Sequence, residues 1–175
     1  MKVHDVTSVN EVFDRAAADS RLEGEDGFFG LSYTSSDGDE RFAASNRPLL
    51  AQLPATCHKI NFRVEFYVEN ISVLSMELTR HLYYLQVKSD IVSGHTFVPS
   101  DQSILLAAYG AQAEFGDVNP ARSSAIPLQR FLPPSTLKTA NQSHLQAKIV
   151  ERQGGFRGMT RYEAEKRCGD LDLIS

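Results

Sequence analysis

The feature that most constrains this chain is a change of hydrophobic period near residue 70. From Lys59 to Val68 the residues alternate, with Ile60, Phe62, Val64, Phe66 and Val68 on one side and Lys59, Asn61, Arg63, Glu65 and Tyr67 on the other. Period two is the period of a half-buried strand, because successive side chains point to opposite faces. From Met76 onward apolar residues recur every three or four positions, which gathers them along one side of a helix. The single switch predicts an α+β lobe over residues 1–69 followed by an all-α lobe over residues 70–175.

Within the first lobe, Met1-Lys2-Val3-His4-Asp5-Val6 reads as the end of a strand. Ser8-Val9-Asn10-Glu11 is a capping box, in which hydroxyl and carboxylate satisfy backbone N–H groups at a helix start. Val9, Val12, Phe13, Ala16 and Ala17 then share one helical face. Gly24 and Gly27 bracket a turn before an aromatic strand, Phe28 to Thr34. Asp37-Gly38 supplies the positive-φ position of a hairpin, with Arg41 to Ala44 as the return strand. An apolar turn between Pro48 and Pro54 leads to the alternating segment. The expectation is a small roll with one helix packed across a mixed sheet.

In the second lobe, Leu78, Leu82, Leu85 and Val92 are expected to face inward from a helix over Met76 to Ser93, closed by Gly94. Pro99-Ser100-Asp101 opens a second helix carrying Ile104, Leu105, Ala108, Ala111, Gln112 and Phe115, and Gly116 ends it. Residues 117–134, with Pro120, Pro127, Pro133 and Pro134, read as loop. A third helix spans His144 to Arg152, with Leu145, Ile149 and Val150 inward. Thr160-Arg161-Tyr162-Glu163 is a second capping box, starting a helix toward Cys168.

Composition narrows the function classes. Hydrophobic residues at 42% and charged residues at 23% suit a folded, water-soluble chain, and a net charge of −4 gives no general attraction to nucleic acid. No apolar run approaches the length of a membrane span. Cys57 and Cys168 have no CxxC pairing, and the five histidines show no ligand spacing with them, so reduced thiols and no metal are expected. No nucleophile elbow, phosphate loop or kinase motif occurs. The carboxylates of Glu23-Gly24-Glu25-Asp26 and Asp37-Gly38-Asp39-Glu40 fall in turns, where water keeps their acidities alike and unsuited to acid–base work. No catalytic, cofactor-binding or metal-ligating residue is assigned.

Several strings resemble the FERM family, of the band 4.1/ezrin/radixin/moesin type. Phe29-Gly30-Leu31 and Phe62-Arg63-Val64-Glu65-Phe66-Tyr67 resemble strands of the family's ubiquitin-like lobe. Thr79-Arg80-His81-Leu82-Tyr83-Tyr84-Leu85-Gln86-Val87-Lys88 resembles the opening helix of its second lobe. Leu106 to Asp117 resembles the next helix, and Arg157-Gly158-Met159-Thr160 with Glu163-Ala164-Glu165 the entry to the last. The resemblance implies a partial ubiquitin-like roll followed by an acyl-CoA-binding-protein-like helical bundle. It also implies that the second lobe is cut within its last helix and that the third, pleckstrin-homology-like lobe is absent.

By that resemblance the chain is expected to be a scaffold module linking membrane-associated proteins to the cortical cytoskeleton or to signalling. Its partners would be proteins, with a weak phosphoinositide contact and no nucleic acid, at the cytoplasmic face of the cell cortex. Where the family carries a lysine-rich stretch, this sequence has Phe42-Ala43-Ala44-Ser45-Asn46-Arg47-Pro48, which leaves Arg47 as the cation. Arg47, Arg80 and Lys88 are the candidate lipid- or partner-binding residues, with Arg80, Lys88 and Asp90 forming a polar helix face and the roll offering a sheet edge. Two other readings stand beside this one: the targeting end of a FERM-bearing non-receptor tyrosine phosphatase, closest alongside expanded-type FERM proteins, and a fragment without a function of its own.

Overall fold

The computed structural model describes residues 7–22, 24–119 and 126–169. The chain divides into two compact units, Met1–Tyr67 and Val68–Ser175. The strand expected over Met1 to Val6 lies outside the described residues.

In the first unit, helix α1 spans Val9–Asp19 behind the expected capping box: Ser8 Oγ accepts from Glu11 N and Glu11 Oε2 accepts from Ser8 N. Strands β1 (Phe29–Thr34), β2 (Glu40–Phe42) and β3 (Ile60–Val64) form a sheet of order β2-β1-β3, antiparallel at both pairings. The β1–β2 hairpin turns at Gly38, whose φ of 90° a side chain would oppose. Val9, Val12, Leu31 and Leu49 make the core, with Phe13, Ile60 and Phe62 packed against it.

The alternation from Lys59 to Val68 predicts a longer strand than the chain forms. Pairing stops at Val64, because Glu65 N and Phe66 N both donate to the single carbonyl of Phe28, at 2.9 and 3.1 Å. That two-against-one arrangement is a β-bulge, and it breaks the alternation of faces. Phe66, expected inward, is 59% exposed as a result.

The second unit is helical: α2 (Glu77–Ser93), α3 (Ser100–Phe115), α4 (Pro134–Thr139), α5 (Gln142–Gly154) and α6 (Arg161–Gly169). Helix α3 is buried nearly all round and packs against both α5 and α6. The core joins Ile104, Ala107, Ala108 and Ala111 of α3 to Leu145 and Ile149 of α5 and to Phe131 and Leu132 of the intervening segment. Phe115, expected in this core, is half exposed at the end of α3. Helix α4 falls where loop is expected; Pro134 at its first turn, a position without need of an N–H, is the signal that marks it.

Helix α2 corrects the expected facing. Leu78 and Leu85 are 38% and 41% exposed, whereas Thr79, Tyr83, Tyr84, Val87, Asp90 and Ile91 are buried. Both sets keep helical spacing, so period alone does not choose between them. The choice falls to volume: Tyr83 and Tyr84, essentially without exposure, fill the space between α2 and its neighbours.

Candidate interaction surface

The rotation of α2 decides what its charged residues do. Lys88 sits on the flank between the two faces, pairs with Glu114 of α3 and lies 4.4 Å from the centroid of the Phe131 ring. Glu114 also pairs with Arg130 at 2.6 Å. Arg80 turns back along its own helix start: its Nη1 donates to Leu74 O at 2.6 Å and to Ser75 O, and its guanidinium stacks 4.6 Å over Tyr162. Asp90 is buried and takes both hydrogen bonds of the Gln86 amide nitrogen, each 3.0 Å. The polar face expected around Arg80, Lys88 and Asp90 is therefore largely an internal seam, because the fold consumes those charges. Arg47, in the first unit, keeps an exposed side chain on the loop whose carbonyls Gln52 binds.

Beside α2 and α6 lies a polar network. Glu165 is 5% exposed, and its Oε1 is 2.9 Å from His81 Nδ1 and accepts from Arg161 Nε at 2.7 Å. The carboxylate holds the Arg161 guanidinium even more firmly protonated than usual. Cys168 is buried, its thiol pushed up to about 12 by desolvation, and Cys57 donates to Lys59 O at 3.3 Å. Burial makes Cys168 a packing residue, since the nucleophilic form of a thiol is its thiolate. Among the described residues no cluster of three or more His, Cys, Asp or Glu is placed to hold a metal ion. Asp37, Asp39 and Glu40 are exposed in the hairpin, where Asp37 pairs with Arg41 at 3.2 Å.

One open feature of the second unit is a groove of about 680 Å³. One wall is the turn from Gly155 to Met159, another is α6 through Glu163, Lys166 and Arg167, and Asn70 and Ser72 close it. The turn is held from behind. Gly158 N donates to Asp117 Oδ1 at 2.8 Å, and Gln112 Nε2 bridges the same oxygen (2.9 Å) and Met159 O (3.0 Å). Gln153 Nε2 ties Gly116 O at 2.8 Å. At the groove edge, the Glu163 carboxylate accepts from Thr160 N and Oγ1, at 2.9 and 2.8 Å, while Thr160 Oγ1 accepts from Glu163 N, completing the second capping box. Most of its lining comes from residues 155–167, which carry the Arg157-Gly158-Met159-Thr160 string, and Asn70 and Ser72 join it from a distant segment.

Comparison with known proteins settles the family. The model of the FERM central domain matches residues 69–167. The chain belongs to the FERM family. Human tyrosine-protein phosphatase non-receptor type 14 is 35% identical over 154 residues, 85% of this chain and 13% of that protein. Human band 4.1-like protein 3 is 31% identical over 156 residues, 88% of this chain and 14% of that protein. The chain thus spans about a seventh of the length of these curated relatives. The FERM and C-terminal domain complex of Drosophila Merlin superposes with a TM-score of 0.81 at 23% identity, over 99% of this chain and 60% of that one. That likeness supports the fold: a small sheet with a helix, followed by a helical bundle.

In this FERM chain the strings that carry the resemblance have structural duties. Gly110 of α3 faces Phe131 so closely that a methyl group there would stand 2.8 Å from its Cδ1. Arg157-Gly158-Met159 forms the groove wall, with Gly158 at a φ of 82°. Tyr83 locks the start of the helical unit, since its hydroxyl donates to Val68 O and accepts from Val68 N, both at 3.0 Å.

Proposed function

We infer that this chain is the protein-interaction module of a FERM-containing protein, joining membrane-associated proteins to the cortical cytoskeleton or to signalling. The observation that carries the reading is the match of the FERM central domain across residues 69–167. A FERM domain is a non-catalytic module, and the phosphatase named among the relatives shares only 13% of its length with this chain. Residues 1–69 are assigned to the ubiquitin-like first lobe and residues 70–175 to the helical second lobe. Among the described residues no helix is long and apolar enough to cross a membrane.

The binding surfaces are assigned to the exposed edge strand β2 and to the groove beside α6, in place of the α2 flank. An edge strand carries unpaired backbone groups ready for another chain. The weak phosphoinositide contact is assigned to Arg47, whose exposed charge could meet a phosphate, and withdrawn from Arg80 and Lys88, whose charges are engaged.

Proximity labelling in cells should recover cortical membrane and cytoskeletal proteins with this chain, beyond those recovered by the labelling enzyme alone. A profile matching the enzyme alone defeats the reading. Sedimentation with phosphoinositide-containing vesicles should fall on Arg47→Gln and hold on Lys88→Gln; the reverse order would reassign the contact.

A further inference from the structure

The groove beside α6 carries charge that the fold does not use. Arg157 on the turn and Arg167 on α6 are exposed, and Lys166 between them in the groove lining is half-buried. Among the described residues, none of these three side chains forms a salt bridge within 4 Å, although Arg157 lies near enough to Asp117 to help hold its carboxyl low. The groove's carboxylate, Glu163, is already engaged by both donors of Thr160. Among the described lining residues three cations stand against the one occupied carboxylate of Glu163, with Asp117 behind the turn, so the lining is electropositive in a chain whose net charge is −4.

We propose that this groove binds an extended acidic peptide segment of a protein partner. The inference rests on the interaction-module reading above and names the chemistry of the partner. The cations stand on two walls, one on the Gly155–Met159 turn and one on α6, with Glu163 in the lining. A compact phosphate drawn among them meets Glu163 as a like charge. An extended chain spaces same-side carboxylates about 6.7 Å apart, so single charges can meet separate cations while a backbone N–H faces Glu163. Guanidinium groups favour such carboxylates through paired N–H donors. Phe156 and Met159, both half-buried in the lining, give apolar ground for side chains between the acidic ones.

The test uses the whole chain and a fluorescein-labelled hexaglutamate peptide, with hexaglutamine as the uncharged control, read by anisotropy at low and physiological salt. Saturable binding of hexaglutamate alone, weakened by salt, is expected. The double variant Arg157→Gln/Arg167→Gln should weaken it about tenfold or more, as loss of two charge-assisted contacts implies. Arg41→Gln, in the other unit, should leave it unchanged. Backbone amide shifts of Gly155 and Gly158 on titration locate the peptide independently of the variants.

Absence of saturable binding by the wild-type chain, or equal affinity in the double variant with its fold verified by circular dichroism, overturns the proposal. Displacement of the peptide by inorganic phosphate at lower concentration than by free glutamate overturns it too, assigning the groove to a phosphate group. Capture of partners in cells that persists in the double variant refutes the groove and leaves the module reading standing. Loss of all capture by the wild-type chain refutes the module reading itself.

Discussion

Lys88 and Phe131 face each other across the helical unit, with the ammonium 4.4 Å from the ring centroid. The same ammonium pairs with Glu114, and the two side chains keep 15% and 18% of their exposure. A cation so placed acts on folding. Lys88→Met should lower unfolding free energy by about 1–2 kcal/mol, since Glu114 retains Arg130 as a partner. Chemical denaturation checks this, and partner binding at matched folded fraction should stay unchanged.

Adjacent tyrosines should respond oppositely to loss of their hydroxyls. Tyr83 exchanges two hydrogen bonds with Val68, whereas Tyr84 Oη is buried with no hydrogen-bond partner among the described residues. Tyr83→Phe should cost about 1–2 kcal/mol, because it strands the part-buried N–H and carbonyl of Val68. Tyr84→Phe should be neutral or stabilising, because it removes a buried polar atom that gains nothing in the folded state. Melting temperatures of the two variants, measured side by side, decide the matter.

Gly110 should resist even the smallest enlargement. A methyl group there would sit 2.8 Å from Phe131 Cδ1 and 3.5 Å from Tyr84 Oη, so the Phe131 ring would have to move within a filled core. Gly110→Ala should destabilise by about 1–3 kcal/mol despite the better helix propensity of alanine. A midpoint equal to or above wild type would show that the ring relaxes freely.

The two thiols should separate by reactivity. Cys168 is buried and its thiol is raised to about 12, so almost no thiolate exists at pH 8. Cys57 is only half-buried. Labelling of the folded chain at pH 8 should modify Cys57 and spare Cys168 until denaturant is added, with mass spectrometry reading the sites.

Acid should loosen the turn that shapes the groove. Asp117 is held below its ordinary value of 3.8 by the Gln112 hydrogen bond first, then by the Gly158 N–H. A carboxyl depressed in the folded state stabilises above its unfolded pKa, and that contribution is lost as pH falls through the folded one. Glu163, held below 4.5 by Thr160, loses its contribution in the same direction. Urea midpoints should therefore decline below about pH 4, and Asp117→Asn should flatten part of that decline. An acid limb identical in wild type and variant would remove Asp117 from the account.

Much of the architecture is local and so is written in short stretches of sequence. Both capping boxes form where a hydroxyl residue precedes Glu by three, at Ser8 and Thr160, because the bonds close within one turn. Helix α4 was equally local, yet two adjacent prolines read as loop until Pro134 is seen to open the first turn. The end of β3 was not local: the bulge at Glu65 and Phe66 depends on Phe28, which lies far back in the chain. The groove gathers residues 70 and 72 with residues 155–167, so no window of sequence contains it.

By itself the sequence determined where strand gives way to helix, where helices start, and which family the order of strings resembles. Those follow from period, caps and turns, which need only near neighbours along the chain. Tertiary structure alone decided which side of α2 faces inward, because two apolar sets of equal spacing competed and packing volume chose Tyr83 and Tyr84. That choice engaged Lys88 with Glu114 and Arg80 with Leu74 O, while Arg157, Lys166 and Arg167 line the groove beside α6.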